Sequence, residues 1–480
     1  MKVGSSDSKD LPDLPRILDD VECNHPDADA KSTVGADEFL ERLRGRSWSL
    51  HFIIVICALG WAANSFTLMT SAFFDTPHGT TGNESFVILS EEFGLIGERE
   101  YLREFTSSAY MVGNVIGGIV IAPASDAMGR RPVLILSLFG LTVMSLILSI
   151  SPSAEIFIAA RTIQGIFYTG LSQTSWVLAF ECCPIKLRNS SATLFGMAWV
   201  IGYCSLAPIA MLADTWRTMM WIVAIPSGVL FVATVIAVPE SLQYLVTRKG
   251  DSKKIAGWTK RINDSVHIAT EPASKRVGIC NYFTFPSSRN QILINMVIMS
   301  GLWASNAFIY FGLSFYSTSL SGNLYLNYIL IGAIEAPAFI LTKIFLKKFS
   351  RKNVMLGTHL MTGAAFVALL FLEKGSVPSL IGWVVGKLVI SIAYMGIYVV
   401  GSEIFPTKVR SSALGICGTL SRIGGVFAPY VVTLARVSDK LPMMVFALVA
   451  FFGAVVSLFL PETKNKPLSE PTKDVQETSS

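Results

Sequence analysis

The fold is decided by the stretch Glu181-Cys182-Cys183-Pro184-Ile185-Lys186-Leu187-Arg188, which returns 222 residues later (403 − 181) as Glu403-Ile404-Phe405-Pro406-Thr407-Lys408-Val409-Arg410. Glu, Pro, Lys and Arg occupy the same positions in both copies. A second pair, Pro239-Glu240-Ser241 and Pro461-Glu462-Thr463, repeats at the same offset. Two independent pairs at one offset predict that the chain consists of two equivalent halves.

Long apolar runs surround these repeats. Of the 480 residues, 51% are hydrophobic and 15% are charged, whereas a soluble domain has about 25% charged residues. Runs of about 20 apolar residues recur along the chain, each long enough to cross a bilayer as a helix. They exclude a water-soluble globule and a barrel of short alternating strands. We predict twelve transmembrane helices, called spans, near residues 48–72, 105–126, 132–151, 157–180, 190–213, 218–238, 290–313, 323–346, 353–372, 378–402, 411–434 and 441–460.

The repeat and the spans together predict an all-α membrane protein with two parallel six-helix repeats. This plan is typical of transporters that hold one substrate site between two halves and alternate its exposure. The predicted parts are an N-terminal tail (1–46), a first half (47–238), a central linker (239–289), a second half (290–460) and a C-terminal tail (461–480).

Basic residues between the spans predict the orientation. Arginines precede span 1 (Arg42, Arg44, Arg46), and Arg or Lys follow spans 2, 4 and 8, so these loops and both termini are expected to be cytosolic. The loop from about 73 to 104 is acidic and holds the sequon Asn83-Glu84-Ser85, which predicts glycosylation of Asn83 outside the cell. We expect a multi-pass protein of the plasma membrane.

Two motifs resemble the major facilitator superfamily. The loop from Ala122 to Arg131 is similar to its G-x-x-x-D-R-x-G-R-R loop, with Ala122 and Ala127 in place of the usual Gly and Arg, and Arg161-Thr-Ile-Gln164-Gly165 is similar to its R-x-x-Q-G element. The stretches Tyr310-Phe-Gly-Leu-Ser314 and Glu335-Ala-Pro337-Ala resemble the organic cation, anion and carnitine transporter family. The resemblance covers roughly residues 95 to 462. The loop after span 1 differs, since that family has a long cysteine-bearing loop and this chain has about 30 residues without Cys.

Ionisable residues in the middle of spans are costly to insert and are therefore candidates for the substrate site. Polar and aromatic residues share helix faces with them in spans 4, 7 and 10, including Ser172, Asn306, Ser314 and Ser391. The residues that we predict to bind substrate are Arg161, Gln164, Tyr168, Trp303, Tyr310, Glu335, Lys387, Tyr394, Tyr398 and Arg422. For the individual aromatic residues, packing against neighbouring helices remains an equal alternative.

The charges of this set indicate the substrate class. Arg422 suits a carboxylate, Lys387 adds a positive charge, and Glu335 with aromatic rings suits an alkylammonium group. The resemblance implies the same, since a basic residue at the position of Arg422 is typical of anion and carnitine carriers. We therefore expect a small organic cation or a zwitterion such as carnitine. An internal ion pair of Glu335 with Arg422 or Lys387, and an organic anion carrier, remain open.

A second set of charges lies at the predicted cytosolic helix ends. The resemblance implies that these residues form the inner gate of the transporter: Asp126, Gly129, Arg130, Arg131, Glu181, Arg188, Glu403 and Arg410. The alternative is that the basic residues only set the topology.

Several other classes of function are not supported. The chain has no glycine-rich phosphate loop followed by Lys-Ser or Lys-Thr, its seven cysteines show no metal-site spacing, and its basic residues lie between spans. We expect no enzyme activity, cofactor, metal or nucleic-acid partner. The expected partners are the bilayer, a small organic ion and, if transport is coupled, a coupling ion. A sugar carrier, a channel and a non-transporting sensor of the same fold rank lower.

Overall fold

A computed structural model of the protein describes residues 48–75, 87–183, 188–245, 286–405 and 410–464. The predicted N-terminal tail, most of the predicted C-terminal tail and linker, and Asn83 lie outside the described residues, as does the side chain of Arg188.

Six long helices form the first half. They are Trp48–Met69, Tyr101–Met128, Arg130–Ser149, Ala154–Glu181, Arg188–Leu212 and Trp216–Ala237, and they correspond to the predicted spans 1 to 6. Short helices, Leu89–Glu92 and Gly97–Arg99, lie between spans 1 and 2.

The second half has the same order of elements. Its helices are Pro286–Tyr316 (span 7), Leu324–Ala333 and Glu335–Lys348 (span 8), Arg351–Leu369 (span 9), Val377–Ile404 (span 10), Arg410–Phe427 and Tyr430–Val437 (span 11), and Leu441–Ser457 (span 12). Span 7 is longer at both ends than predicted, because the helix continues through the polar residues that precede the apolar run and through residues 314–316 that follow it.

Prolines explain the two interrupted spans. Pro337 has no N–H to donate to the carbonyl of Ala333, and the first helix of span 8 ends at that residue. Pro429 likewise follows the end of the first helix of span 11 at Phe427. The break in span 8 places Glu335 at the start of a helix in the middle of the bundle.

Within the described residues, nine helical segments are long and apolar enough to cross a bilayer. Spans 4, 9 and 12 are helices that are shorter or less apolar than these nine, and they complete the predicted twelve. The prediction of an all-helical bundle is confirmed.

Among the described residues, the two halves share an apolar cluster at one end of the bundle. We call this the outer end, since the sequence places it opposite the termini. The cluster combines Phe73, Leu89 and Trp216 of the first half with Phe315 and Tyr328 of the second. At the opposite, inner end each half has its own cluster, around Leu178 and Phe195 in one and around Val400 and Leu460 in the other. The structure therefore has its outer end closed.

Candidate functional site

Four aromatic residues of spans 7 and 10 form a continuous group in the middle of the bundle. Tyr310 stacks on Tyr394 with ring centroids 4.7 Å apart, Tyr394 lies 6.0 Å from Tyr398, and Trp303 meets Tyr398 edge to face at 4.8 Å. The spacing of seven residues in span 7 and of four residues in span 10 places each pair on one face of its helix. We call Trp303, Tyr310, Tyr394 and Tyr398 the aromatic group.

Arg422 of span 11 faces this group and also the first half. It lies within electrostatic range of Tyr394 and Tyr398, and of Tyr168 in span 4. Tyr398 is 50% exposed although it has these neighbours, so it borders an open space between the halves. Arg422 and Tyr168 are each partly exposed.

A close approach of two helices positions the guanidinium of Arg422. It lies over Gly118 of span 2, where a Cβ atom would collide with its Nη1. Nη1 also donates to Thr419 Oγ1 at 3.4 Å. In the part of the chain that the structure describes, no carboxylate lies within ion-pair distance of Arg422. Since a guanidinium has five N–H donors, most of them remain available to a ligand.

Glu335 and Lys387 form a buried ion pair beside the aromatic group. Lys387 Nζ lies 2.9 Å from Glu335 Oε1, and the two side chains are 0% and 2% exposed. Tyr310 donates its hydroxyl to Glu335 Oε2 at 2.7 Å. Of the two interpretations that the sequence left open for Glu335, the structure has the internal ion pair, with Lys387 as its partner.

The hydroxyl of Tyr310 also connects the two halves. It accepts a hydrogen bond of 3.1 Å from the indole N–H of Trp199, which lies in span 5 of the first half. Sequence analysis missed Trp199, because a lone Trp in an apolar span has no signal that separates it from ordinary packing.

Arg161 and Gln164 lie apart from the aromatic group, inside the first half. Arg161 is fully buried and donates to the carbonyl of Thr67 at 2.9 Å and to Gln164 Oε1 at 2.8 Å. Its guanidinium also lies 4.5 Å from the ring centroid of Tyr110. Gln164 in turn donates to Ser145 Oγ at 2.8 Å. These contacts join spans 1, 2, 3 and 4 to each other.

At the inner end of the first half, Arg130 is the centre of the predicted gate. Its guanidinium lies 3.0 Å from Asp126 Oδ1 and 3.1 Å from Glu181 Oε2. Its backbone N–H donates to Glu240 Oε1 at 2.9 Å, and so does that of Arg131 at 3.1 Å. Glu240 thus places a carboxylate at the N-terminus of span 3, where the helix dipole favours negative charge.

The second half repeats this arrangement. Arg351 pairs with Glu403 at 2.8 Å, and the backbone N–H groups of Arg351 and Lys352 donate to Glu462 at 3.0 and 3.3 Å. Burial works to raise the pKa of Glu462, but the N–H groups of Lys464, Arg351 and Lys352 hold it below its ordinary value. Arg351, which sequence analysis did not include among the gate residues, is therefore the counterpart of Arg130.

The remaining predicted gate residues have other contacts. Arg131 donates to the carbonyls of Val238 and Val235, both at 2.8 Å, and Arg410 donates to that of Phe405 at 3.2 Å. Gly129 has φ = +112°, a conformation that disfavours other residues. The described inner ion pairs each join helices of one half, in a structure whose outer end is closed.

An ion pair between the halves lies instead at the outer end. Arg436, at the end of span 11, reaches Glu104 and Glu100 at the start of span 2, at 3.0 and 3.3 Å. Thr318 of the second half also donates to the carbonyl of Ala72 in the first at 2.8 Å. Sequence analysis did not select Arg436, because its position at a span end resembles that of any solvated arginine.

Comparison with known proteins identifies the family. The model of the sugar (and other) transporter family matches residues 45–474. The chain belongs to this family. It is therefore a multi-pass membrane transporter and not an enzyme, as predicted.

Several relatives share most of their length with the chain. A putative transporter of Caenorhabditis elegans is 36% identical over 453 residues, which cover 92% of this chain and 91% of the relative. An organic cation transporter protein of Drosophila melanogaster and organic anion transporter 3 of Oryctolagus cuniculus are each 27% identical, and each match covers 80% of this chain and 73% of the relative. The resemblance to organic ion transporters is confirmed.

Solved structures show the same fold. The inward open conformation of the xylose transporter XylE from E. coli matches with a TM-score of 0.63 at 18% identity, covering 87% of this chain and 98% of that one. A D-xylose-proton symporter matches with a TM-score of 0.67 at 18% identity, covering 88% and 99%. At this identity the likeness shows the fold alone, and it confirms the predicted major facilitator architecture.

Proposed function

We propose that the protein carries small organic ions with a carboxylate group across the plasma membrane, and that a zwitterion such as carnitine or a betaine is its substrate. The single observation that carries this proposal is Arg422, a cation in the middle of the bundle with no carboxylate partner among the described residues. An unpaired charge inside a membrane protein marks a substrate pathway in most cases.

The aromatic group supplies the other part of the proposed site. An alkylammonium group is attracted to the faces of tyrosine rings by about 0.5 to 2 kcal/mol each. Tyr394 and Tyr398 lie within electrostatic range of Arg422, so this region offers a cation to a carboxylate and aromatic faces to an ammonium group. The ammonium is thus assigned to the tyrosines instead of Glu335, whose charge Lys387 already balances.

An organic anion without an ammonium group is the second candidate. It is favoured by the same ion pair, because Glu335 and Lys387 together contribute no net charge and Arg422 leaves the described site positive. Organic anion transporter 3 of Oryctolagus cuniculus is among the relatives, beside an organic cation transporter protein.

Uptake by cells that express the protein tests the proposal. Radiolabelled carnitine, tetraethylammonium and a dicarboxylate are each supplied with and without sodium, and cells with an empty vector serve as the control. The proposal predicts saturable uptake of carnitine that is faster than the uptake of tetraethylammonium and of the dicarboxylate, and the effect of sodium reports the coupling ion. Uptake of the dicarboxylate alone supports the anion carrier. If none of the three compounds is taken up although the protein is at the cell surface, the result contradicts the proposal and favours a sensor.

A further inference from the structure

The ammonium group of Lys387 is enclosed by three oxygen atoms of the protein. Its Nζ lies 2.9 Å from Glu335 Oε1, 2.8 Å from Ser314 Oγ and 3.1 Å from the carbonyl oxygen of Tyr310. An ammonium carries three N–H donors, and three oxygen atoms surround this one. Lys387 is also completely buried, so a ligand in the open space does not reach it.

The ring of Tyr310 separates this ion pair from the proposed site. Lys387 Nζ lies 3.4 Å from the centroid of that ring, and Tyr394 stacks on it at 4.7 Å with an interplanar angle of 18°. A stacked ring and an ammonium at these distances do not fit on one face, so they occupy opposite faces. Tyr310 therefore has the ion pair on one face of its ring and Tyr394 on the other face.

The carboxylate of Glu335 has a different contact at each oxygen atom. Oε1 faces Lys387, and Oε2 accepts the hydroxyl of Tyr310, which Trp199 holds in place from the first half. Without Lys387, Glu335 would place a negative charge next to the aromatic faces that the proposed function assigns to an ammonium group. A pair of opposite charges at 2.9 Å instead contributes almost no net charge at the distance of Arg422.

We infer that Lys387 determines the charge preference of the transporter by cancelling the charge of Glu335, and that it does not bind the substrate. This inference rests on the proposed function, since it concerns the same central site. Lys387 is a positioning residue in this account. Its neutralisation of Glu335 leaves Arg422 as the charge that selects the substrate.

Three variants test the inference through the ratio of tetraethylammonium uptake to dicarboxylate uptake. Lys387→Met exposes the charge of Glu335 and is expected to raise this ratio about tenfold or more, and Glu335→Gln leaves Lys387 unbalanced and is expected to lower it by a similar factor. The double variant Lys387→Met with Glu335→Gln is uncharged at both positions and is expected to return the ratio to that of the wild type. A loss of folding lowers both uptakes together and does not move the ratio.

Lys343→Met is the matched control, because Lys343 is an exposed lysine of span 8 whose ammonium donates to Thr193 Oγ1. It is expected to keep the wild-type ratio.

Should Lys387→Met not reach the surface, the opposite shift in Glu335→Gln and its reversal in the double variant still decide the question. Equal ratios in the wild type and both single variants overturn the inference while leaving the carrier intact. A wild type that takes up none of the probes overturns the proposed function, and the inference with it.

Discussion

Arg436 Nη2 lies 3.0 Å from Glu104 Oε1 and joins span 11 of the second half to span 2 of the first. Glu104 is only 6% exposed. The ion pair lies at the outer end, where the halves also share an apolar cluster, whereas the described ion pairs of the inner end stay within one half. Because alternating access requires the outer end to open, this contact must break in each transport cycle.

Arg436→Ala is expected to let the outer end open more readily. A partly exposed ion pair of this kind contributes about 1 kcal/mol, which corresponds to a change of about fivefold in an equilibrium. A cysteine in place of Thr318, which is 5% exposed and contacts Ala72 of the other half, reports the opening through its reaction with a membrane-impermeant thiol reagent. The reaction is expected to be about fivefold faster in the Arg436→Ala background.

Lys374→Ala is the control for this measurement. Lys374 forms an outer ion pair with Asp439, but both residues belong to the second half and are 56% exposed. Its loss is expected to leave the labelling rate unchanged. Equal labelling rates in the Arg436→Ala and Lys374→Ala backgrounds would show that Arg436 does not hold the halves together.

Gly129→Ala is expected to destabilise the inner end. The residue has φ = +112°, and a methyl group there would collide with the carboxylate of Glu240, which holds the N-terminus of span 3. Backbone strain alone costs about 1 to 3 kcal/mol, so the melting temperature of the purified protein should fall by several degrees. Gly357→Ala is the control, since no atom lies within 4 Å of its added Cβ. An equal melting temperature for both variants would contradict this account of Gly129.

Arg130→Ala and Arg351→Ala are expected to have the same effect on transport, because each removes the central cation of one inner cluster. These clusters hold helix ends together and do not contact the central site. The maximal rate of uptake should therefore fall about tenfold while KM changes less than about twofold. Arg131→Ala should slow transport less, since its side chain donates to backbone carbonyls of span 6.

The exposed Lys347 provides the control for these variants. Lys347→Ala removes a positive charge from the same end of the bundle without breaking a described ion pair, so it should transport at the wild-type rate. If Lys347→Ala and Arg351→Ala slow uptake equally, the inner basic residues act through topology and not as a gate.

The architecture was predictable because it depends on periodicity along the chain. Apolar length located the spans, and the offset of 222 residues located the equivalent helix ends. The same offset explains why Glu240 and Glu462 have equivalent contacts. The counterpart of Arg130 was missed because only its glutamate partners lie in the repeated stretches. Arg351 begins a helix whose preceding residues differ from those before Arg130.

The site was less predictable because sequence does not give the rotation of a helix or the identity of its neighbours. Arg161 and Arg422 are both arginines within a span, yet one is enclosed by Thr67, Gln164 and Tyr110 and the other faces the space between the halves. The pairing of Glu335 with Lys387 requires spans 8 and 10 to be adjacent, which the helix packing decides.

The most direct test of the central claim is the uptake of carnitine by Arg422→Ala at a surface level equal to that of the wild type. A carboxylate bound by charge-assisted hydrogen bonds contributes about 1.5 to 3 kcal/mol, so the account predicts that KM for carnitine rises about tenfold or more. Arg422→Lys keeps the charge but loses the planar guanidinium, so its KM for carnitine should lie between those of the wild type and Arg422→Ala. An unchanged KM for carnitine in Arg422→Ala would contradict the claim that Arg422 binds the substrate carboxylate.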